Sequence, residues 1–340
     1  MNITTLGIDL AKNIFQLHGV DTEGKVILKK RLPRSELTEF IAQLPACLIG
    51  LEACGSSHYW ARKFQSFGHT VKLMSPSFVK AYVKSNKNDK NDSEAICEAV
   101  SRPNMRFVQI KKQHQQDMQC LHRIRSQFIK NRTALVNQIR GLLAEYGITF
   151  SKEINNVKKS LPNIIDDKDN ILSDYARELF KELNEDFFKL NNRIKIYDQK
   201  IVDLAKNNKD CKRIEKIPGI GVLCATALCA SISDPHLFKN GRELAAWLGL
   251  VPRQASSGNK QRLLSISKRG DKYLRSLLIH GARAVIYRAK DLENPVHKWV
   301  INLKQRKGVN KAAVALANKN ARVAWALLAK QADYKVVMNN

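Results

Sequence analysis

The amino-acid sequence predicts a mixed α/β domain followed by a longer, mainly helical region, a fold class we describe as α/β plus α. Three observations support it. Short apolar segments alternate with helical patterns near the N-terminus, an unbroken heptad pattern occupies the middle, and a basic, mainly helical part follows. At 340 residues the chain is long enough for several domains. We divide it into a sheet domain at 1–108, a helical coiled-coil arm at 109–208, a C-terminal domain at 209–300, and a terminal helix and tail at 301–340.

Strong positive charge is the main feature of the composition. Lysine and arginine total 58 residues against 31 acidic residues, and the net charge is +27. Such an excess indicates a polyanionic partner, most often a nucleic acid, with an anionic membrane surface as the alternative. The sequence has no apolar run of about 18 residues and no leader pattern, so we predict a cytoplasmic protein with no membrane partner. Seven cysteines without a C-x-x-C spacing predict reduced thiols and no zinc site.

The N-terminal part is predicted to form a mixed sheet with helices packed on it. Three strands in a row are joined by short turns, and later strands alternate with helices. The predicted strands are 6–12, 14–20, 25–32, 46–53 and 69–76, and the predicted helices are 35–44, 56–68 and 77–83.

A single carboxylate interrupts the first apolar strand. In LGIDLAK, at residues 6–12, apolar side chains alternate with Gly7 and Asp9, so Asp9 is predicted to lie on the face opposite the apolar residues. A carboxylate on a core strand costs free energy unless it binds a metal, a proton or a partner. The small neighbours of Asp9 leave room for a charged group beside it.

Three further acids are placed to join Asp9. Glu52 lies near the end of the fourth predicted strand, Asp92 is predicted to cap the next long helix, and Asp89 precedes it by three residues. If that helix begins at Asp89, both aspartates lie on one face. Four carboxylates in a basic protein predict a site for Mg²⁺ or Mn²⁺, and two such ions assist in-line phosphoryl transfer. The alternatives are a helix cap for Asp92, a surface acid for Asp89 and a buried hydrogen-bond acceptor for Glu52.

The central part of the chain is predicted to be an elongated helical arm. The first long helix ends at Gly147, and the polar stretch from Pro162 to Asp169 is predicted to be a loop. The second helix carries eight apolar residues at alternating steps of three and four, which is typical of a coiled coil. These residues are Phe180, Leu183, Phe187, Leu190, Ile194, Tyr197, Ile201 and Leu204. Their partner is either the first helix of the same chain or a second protomer, and the length of the arm favours the second protomer.

The segment IPGIGVLCATALCA, at residues 217–230, opens the C-terminal domain. A tight turn at Gly219 and Gly221 before a helix would present backbone N–H groups as a phosphate seat. The alternative is that these glycines only allow a tight turn with close packing. The local sequence does not choose between the two.

A serine loop surrounded by cations follows. Between Arg253 and Arg288 the chain has nine cations and one acid, Asp271. Such a run is commonly a solvated face, but the loop RQASSGNKQR inside it favours a groove for a phosphate backbone. The residues that we assign to nucleic-acid binding are Gly219, Gly221, Arg253, Lys260, Arg262, Lys268, Arg269, Lys272 and Arg275. An amphipathic helix near 308–330 is predicted to pack in the core.

Taken in order, these motifs resemble those of the IS110/IS1111 group of insertion-sequence transposases. The resemblance rests on LGIDLAK, GLEACGSSHYWAR, KNDKNDSEAI, PGIG, LGLVPRQASSG and SKRGDKYLRSLLIHGARA, and it covers nearly the whole chain. It implies an N-terminal RuvC-like domain of the RNase H type, whose Asp-Glu-Asp-Asp metal set matches Asp9, Glu52, Asp89 and Asp92. It also implies a catalytic serine, which matches Ser257, with Ser256 the less favoured choice.

The resemblance implies site-specific DNA recombination. The serine would attack a DNA phosphodiester with the help of carboxylate-bound metal ions, leaving a 5′-phosphoserine link and a free 3′-hydroxyl. A noncoding RNA from the ends of the element, the bridge RNA, would select target and donor DNA, and the protein would act as a dimer that assembles into a tetramer. Such a protein would work at the bacterial nucleoid. From the local sequence alone, Ser256-Ser257-Gly258 is more often a plain turn.

Two other functions fit parts of the sequence. A Holliday-junction resolvase or another RuvC-like nuclease would use metal-activated water, and the serine in its basic loop argues against it. A non-enzymatic coiled-coil architectural protein would explain the charge and the heptads but not four acids at strand and helix ends. A covalent protein–DNA adduct separates the recombinase from the first alternative, and metal-dependent nicking excludes the second.

Overall fold

The structure is a computed structural model that describes residues 2–84, 88–151, 153–258 and 260–335. The chain forms two compact units, Met1–Lys112 and Gln113–Asn340. The first is built around a six-stranded sheet, and the second is mainly helical. The mixed sheet that the sequence predicts is therefore confirmed. The division into four parts is finer than these two units and stays a prediction.

The first unit follows the predicted order of strands and helices. Its strands are β1 (Thr5–Leu10), β2 (Ile14–Val20), β3 (Val26–Pro33), β4 (Leu48–Glu52), β5 (Thr70–Met74) and β6 (Phe107–Val108). Its helices are α1 (Arg34–Ala42), α2 (Ser57–Gln65), α3 (Pro76–Val79) and α4 (Asp89–Val100), and a 3-10 turn at Lys80–Tyr82 continues α3. The sequence prediction lacks β6, because two residues are too short for a periodic signal.

The strands lie in the order β3-β2-β1-β4-β5-β6. β1 pairs antiparallel with β2 and parallel with β4, and β4 pairs parallel with β5. β2 and β3 are antiparallel, and the short β6 runs antiparallel to β5. An antiparallel meander followed by parallel strands is consistent with the RuvC-like domain that the resemblance implies. β1 lies at the centre of this sheet.

The two faces of β1 carry different residues. Its apolar side chains are buried in a core that includes Leu37 of α1 and Phe64 of α2. Gly7 and Asp9 lie on the opposite face, on which α4 packs. The alternation predicted from LGIDLAK is therefore confirmed.

The second unit contains helices and one small hairpin. The helices are α5 (Gln113–Glu145), α6 (Ile154–Asp166), α7 (Asp174–Lys206), α8 (Lys209–Glu215), α9 (Val222–Ser231), α10 (Gly241–Trp247), α11 (Lys272–Arg288), α12 (Pro295–Lys307) and α13 (Val309–Lys330). A 3-10 turn spans Pro235–Leu237, and β7 (Pro252–Gln254) pairs antiparallel with β8 (Leu263–Ile266). Helix α13 is the predicted terminal helix, and its apolar face is buried. Within the described ranges, no helix is long and apolar enough to cross a membrane.

The long helices α5 and α7 pack on each other in antiparallel directions. Arg125 of α5 forms an ion pair with Asp198 of α7, and further along α5 the Nη1 of Arg132 donates to Oδ1 of Asn191 over 3.0 Å. The fully buried members of the heptad stripe lie seven residues apart, at Phe180, Phe187, Ile194 and Ile201. The stripe therefore has its partner in the same chain, and the preference for a second protomer on this face is wrong. A coiled-coil arm and a dimer both stay predictions.

The prediction of a loop from Pro162 to Asp169 is wrong for residues 162–166, which belong to α6. Pro162 lies inside α6, where Val157 and Leu161 are fully buried in a cluster that includes Phe180 of α7. Proline donates no backbone hydrogen bond and disfavours a helix interior, but burial of these side chains offsets that cost. The local sequence shows the proline and not the packing.

Candidate active site

Two glycines allow α4 to lie directly on the sheet. Gly7 of β1 and Gly50 of β4 are partners in the parallel register. A Cβ atom added to Gly7 would lie 2.3 Å from the carbonyl oxygen of Ser93, and one added to Gly50 would lie 2.8 Å from Cβ of Val100. Side chains do not tolerate such distances, so the close approach of α4 requires glycine at both positions.

Asp9 and Glu52 lie on this same face, on neighbouring strands. Each follows its glycine by two residues, and residues two apart in a strand point to the same face. β1 and β4 are in register as far as Ile8 opposite Leu51, and the next step places Asp9 beside Glu52. Because neighbouring strands are about 4.8 Å apart, the two carboxylates extend from adjacent backbones. Both residues are half-buried.

The thiol of Cys54 lies close enough to both carboxylates for their charges to affect its pKa. Burial raises the pKa of the Cys54 thiol, and the negative charges of Glu52 and Asp9 raise it further. The Sγ of Cys54 also donates to the carbonyl oxygen of Leu10 at 3.9 Å, which connects the turn after β4 to the end of β1. Sequence reasoning misses this neighbour of the site. Strand alternation gives no signal for it, because Cys54 lies in the bend after the end of β4.

The middle of helix α4 lies over β1. The Sγ of Cys97 donates to the carbonyl oxygen of Thr5 at 3.7 Å. One turn earlier, Ser93 lies over Gly7. These contacts fix the middle of α4 over Thr5 and Gly7 of β1, two to four residues before Asp9.

The first turn of α4 carries the other two acids. The helix begins at Asp89 and contains Asp92 one turn later, so both lie on one side of its N-terminal end, as predicted for a helix that begins at Asp89. Asp92 is half-buried and Asp89 is exposed. The cap is Asn88, whose Oδ1 accepts from the N–H of Asn91 over 2.9 Å, so the prediction that Asp92 caps the helix is wrong. Both acids lie where the helix dipole favours negative charge.

The four acids form an oxygen donor set of the kind that suits Mg²⁺ or Mn²⁺. Asp9 and Glu52 lie on the face on which α4 packs, and Asp89 and Asp92 lie in the first turn of that helix. Among the residues that the structure describes, no group of three or more His, Cys, Asp or Glu side chains is close enough to hold an ion. The four acids thus fit a divalent cation in donor type, while the described side chains do not gather around one point. Residues 85–87, just before Asp89, lie outside the described residues.

Ser257 lies in the turn of the β7–β8 hairpin. The N–H of Lys260 donates to the carbonyl oxygen of Ser257 over 3.2 Å, and Gly258 inside this turn has a φ of +56°. Ser257 and Ser256 are both exposed, but the hydroxyl of Ser256 accepts a hydrogen bond from Nε2 of Gln254 over 3.0 Å. The turn predicted at Ser256-Ser257-Gly258 is therefore present, and it leaves the Ser257 side chain accessible.

Exposed cations accompany the serine along the hairpin and into α11. Their side chains are open to solvent, as contacts to DNA phosphates require. They are Arg253, Lys260 and Arg262 on the hairpin, Lys268 and Arg269 in the segment that leads into α11, and Lys272 at the start of that helix.

Arg275 has a structural role instead. It is 8% exposed, and its Nη1 donates to the carbonyl oxygens of Leu248 over 3.1 Å and Arg269 over 2.9 Å. These bonds hold the turn before α11 against the end of α10. The structure therefore contradicts the assignment of Arg275 to the phosphate-binding set, because its guanidinium is buried and already bonded to the backbone.

The two glycines of the PGIG turn differ in their surroundings. Gly219 has a φ of +90°, and a Cβ atom added to it would lie 2.9 Å from the carbonyl oxygen of Gly281 in α11. This backbone-to-backbone packing favours the structural alternative for Gly219. Gly221 is exposed at the N-cap of α9, and an added Cβ would meet no atom within 4 Å. For Gly221 the phosphate seat stays a prediction.

A buried network that sequence reasoning misses joins α5 to α9 and α11. The Nδ1 of His122 lies 3.0 Å from the hydroxyl of Tyr273, and its Nε2 lies 3.0 Å from Oγ1 of Thr226. Thr226 donates to the carbonyl oxygen of Val222 over 2.8 Å, so its oxygen accepts from Nε2 and Tyr273 donates to Nδ1. Burial, and then the charge of Arg125, lower the pKa of His122 to about 4. The ring is therefore neutral at pH 7.

Comparisons with known proteins agree with the fold and the motifs. A family model described as "Transposase", named for the DEDD motif of the IS110 group, matches residues 6–148, which contain the four acids. A second, described as "Transposase IS116/IS110/IS902 family", matches residues 211–297, which contain Ser257.

Similar proteins cover nearly the whole chain. A "Probable family 20 transposase" of Pseudomonas aeruginosa is 46% identical over 98% of this chain and 99% of its own length. The "Transposase for insertion sequence element IS1111A" of Coxiella burnetii is 46% identical over 98% of this chain and 92% of its own length. The "Transposase for insertion sequence element IS1328" of Yersinia enterocolitica is 39% identical over 95% of this chain and 96% of its own length. With this identity along its length, the chain belongs to the IS110/IS1111 family of insertion-sequence transposases, enzymes that cleave DNA and transfer its strands.

Proposed function

We propose that this transposase cleaves DNA with a serine nucleophile and a divalent cation. The nucleophile is Ser257, and Mg²⁺ or Mn²⁺ is held by Asp9, Glu52, Asp89 and Asp92. The observation that supports the proposal is that β1 and β4, which carry Asp9 and Glu52, lie side by side, and that α4, whose first turn carries Asp89 and Asp92, packs on the same face of the sheet. Neighbouring carboxylates repel one another, and a bound cation removes that cost. When bound, the cation would stabilise the negative charge that develops on the reacting phosphate.

In the proposed cleavage, the Oγ of Ser257 attacks the phosphorus of a DNA phosphodiester. The Oγ–P bond forms, the bond from phosphorus to the 3′-oxygen breaks, and the serine proton ends on that 3′-oxygen. The products are a 5′-phosphoserine and a free 3′-hydroxyl. Since one phosphodiester replaces another, the reverse attack by a 3′-hydroxyl rejoins DNA without an external energy source.

The hairpin suits a nucleophile that must approach a DNA backbone. Ser257 is exposed, and Gly258 next to it has no side chain to obstruct a phosphate. A serine hydroxyl is a weak nucleophile until it is activated, which explains why the four acids are needed as well. The exposed cations of the hairpin and of the segment before α11 would contact the flanking phosphates.

We further propose that a noncoding bridge RNA from the ends of the element selects donor and target DNA, and that the protein acts as a dimer that assembles into a tetramer. Family membership and the net charge of +27 support a second nucleic-acid partner. The protein expressed together with its flanking DNA should co-purify with one discrete RNA encoded there. Recovery of random cellular RNA only would contradict this part of the proposal.

The metal site is tested through stability and through cleavage. Adding Mg²⁺ should raise the melting temperature of the wild-type protein, and Asp9→Asn or Glu52→Gln should reduce that gain, because each removes a charged ligand. The same variants should not cleave DNA. In the wild type, EDTA should abolish cleavage. Glu36→Gln, an exposed acid in the first turn of α1, is the matched control and should keep both properties. Full Mg²⁺-dependent cleavage by Asp9→Asn would rule out the assignment.

A further inference from the structure

A large apolar groove lies between the β7–β8 hairpin and α13, and we call it the α13 groove. Its lining includes Pro252 and Ile266 of the hairpin and Val314, Val323 and Ala326 of α13. Its volume is about 1280 Å³. Pockets for small molecules have roughly 300–1,000 Å³, so the α13 groove suits a segment of a macromolecule.

The rim of the α13 groove is positively charged. Arg242, Lys311, Lys319 and Arg322 line it with exposed side chains. Of the described residues that line the groove, none is an acid. Its partner therefore combines apolar groups with negative charges.

The aromatic residues of the groove do not favour stacking with nucleotide bases. The ammonium of Lys319 already covers the ring of Trp299, at 4.9 Å from its centroid. Trp325 is held in place by its Nε1, which donates to the carbonyl oxygen of Pro235 over 2.9 Å. Single-stranded nucleic acids bind to open aromatic faces. The aliphatic lining and the engaged tryptophans instead favour a protein segment.

A segment of the same chain combines exposed apolar side chains with negative charge, which is complementary to the groove. We call this segment, residues 166–186, the acidic tip. It has eight acids and three cations in a protein whose net charge is +27. It also exposes three large apolar side chains, with Ile171 74%, Tyr175 71% and Leu179 44% exposed. Exposed apolar groups flanked by acids match what the groove requires.

The acidic tip has the pattern of a helix that binds in a groove. Tyr175 and Leu179 lie four residues apart on α7, and beside them Asp174, Glu178 and Glu182 follow the same spacing. Residues at this spacing form adjacent apolar and acidic stripes, the arrangement of helix-in-groove recognition. In the described part of the chain, none of these three acids forms an ion pair.

The tip cannot reach the groove of its own chain. Ala205, near the end of α7, belongs to the core formed with α8–α13, whereas Phe180 and Phe187 belong to a separate core with α6. A helix rises 1.5 Å per residue, so Tyr175 lies about 45 Å from Ala205 along α7. The α13 groove adjoins the core at the other end of this helix.

We infer that the acidic tip of one copy of this chain docks in the α13 groove of a second copy. The exposed side chains of Ile171, Tyr175 and Leu179 enter the apolar groove, and the acids beside them face the cationic rim. Two reciprocal contacts of this kind close a two-fold dimer. Because the hairpin forms part of the groove, docking also braces the element that carries Ser257. The inference rests on the proposed dimer and not on the proposed cleavage chemistry, so a failure of the contact leaves the assignment of Ser257 and the four acids untouched.

A charge swap tests the contact on the full-length protein without nucleic acid. The tip variant carries Asp174→Lys, Glu178→Lys and Glu182→Lys, and the groove variant carries Lys311→Glu, Lys319→Glu and Arg322→Glu. Sedimentation at low salt after nuclease treatment should show that each variant alone dimerises roughly tenfold or more weakly than the wild type. Mixed one to one they should form a heterodimer, since both reciprocal contacts again join opposite charges.

The matched controls reverse charges outside the two surfaces. Asp203→Lys lies near the other end of α7, and Lys304→Glu lies on α12 outside the groove lining. Both should keep the wild-type dimer. A monomeric wild type, or a mixture of the two variants that stays monomeric, would overturn the inference. So would a groove variant that dimerises normally but binds single-stranded DNA or RNA less tightly, because that result would make the groove a nucleic-acid site.

Discussion

Gly7 of β1 lies directly under the carbonyl group of Ser93 in α4, where an added Cβ would come within 2.3 Å of the oxygen. Strand and helix therefore meet through their backbones, and this contact sets the depth at which α4 rests on the sheet. On β1, Asp9 follows Gly7 by two residues. On α4, Asp89 precedes Ser93 by four residues. The spacing between these carboxylates consequently depends on the absence of a side chain at position 7.

Replacing Gly7 with alanine should therefore impair cleavage more than DNA binding. The new methyl group pushes α4 away from the sheet, and overpacking of this kind costs about 1–3 kcal/mol of unfolding free energy. Chemical denaturation and Mg²⁺-dependent cleavage measure the two effects. Gly55→Ala is the control in the same unit, because its added Cβ meets no atom within 4 Å. Wild-type stability and cleavage in Gly7→Ala would contradict the proposed contact.

Lys272→Ala should weaken binding to unrelated DNA sequences to a similar degree. Lys272 is exposed at the start of α11, and a lysine that contacts a phosphate contributes about one unit to the slope of log K against log salt. Binding titrations at several salt concentrations measure that slope, and the stability of the variant should stay unchanged. An unchanged slope would show that Lys272 belongs to a solvated face, and a sequence-selective loss would show that it reads bases.

Arg275→Met should show the opposite pattern. The variant keeps most of the buried volume but leaves the carbonyl oxygens of Leu248 and Arg269 without this donor, which costs about 1–3 kcal/mol of unfolding free energy. Denaturation with urea measures that loss. The salt slope of DNA binding, taken at a temperature where the variant is folded, should match that of the wild type. Wild-type stability together with a lower slope would restore Arg275 to the phosphate-binding set.

His122 should make the protein less stable as the pH falls from about 6.5 toward 4. Burial holds the pKa of His122 at about 4 in the folded chain, below its value near 6.5 in the unfolded chain. Between these values the unfolded state binds a proton that the folded state does not, so unfolding becomes easier by about 1.4 kcal/mol per pH unit. Urea denaturation at pH 7 and pH 5 measures the change, which should be smaller in His122→Gln. His114→Gln, exposed on the same helix, should behave like the wild type.

Features of the first unit were predictable because they depend on neighbours in sequence. The alternation around Asp9 shows which face of β1 it occupies, and the order of apolar segments shows the mixed sheet. The change from polar to helical sequence shows that a helix begins near Asp89 and Asp92, although the cap is Asn88 and not the predicted Asp92. What local sequence cannot show is that Gly7 and Gly50 bring α4 onto that face, since the contacts join residues about 50 to 90 positions apart.

Features of the second unit that were missed depend on packing. The local sequence around an arginine does not show whether its guanidinium reaches solvent or bonds to a backbone carbonyl. For that reason Arg275 was grouped with the exposed Lys272. A heptad stripe shows that a helix packs on another helix, but it does not identify that helix. The stripe of α7 was therefore equally compatible with a second protomer and with α5, on which it packs. Pro162 in α6 shows the same limit, because tertiary burial outweighs its local preference.

The most direct test of the account is the identity of the residue that becomes joined to DNA. DNA carrying the element's ends, with the RNA encoded beside them, is incubated with the protein and Mg²⁺, and the digested protein is examined by mass spectrometry. We predict a nucleotide attached through its 5′-phosphate to Ser257, absent with EDTA and absent in Ser257→Ala, whereas Ser256→Ala still forms it. Cleavage by Ser257→Ala at the wild-type rate, with no adduct on any residue, would contradict the serine mechanism and indicate a nuclease that uses metal-activated water.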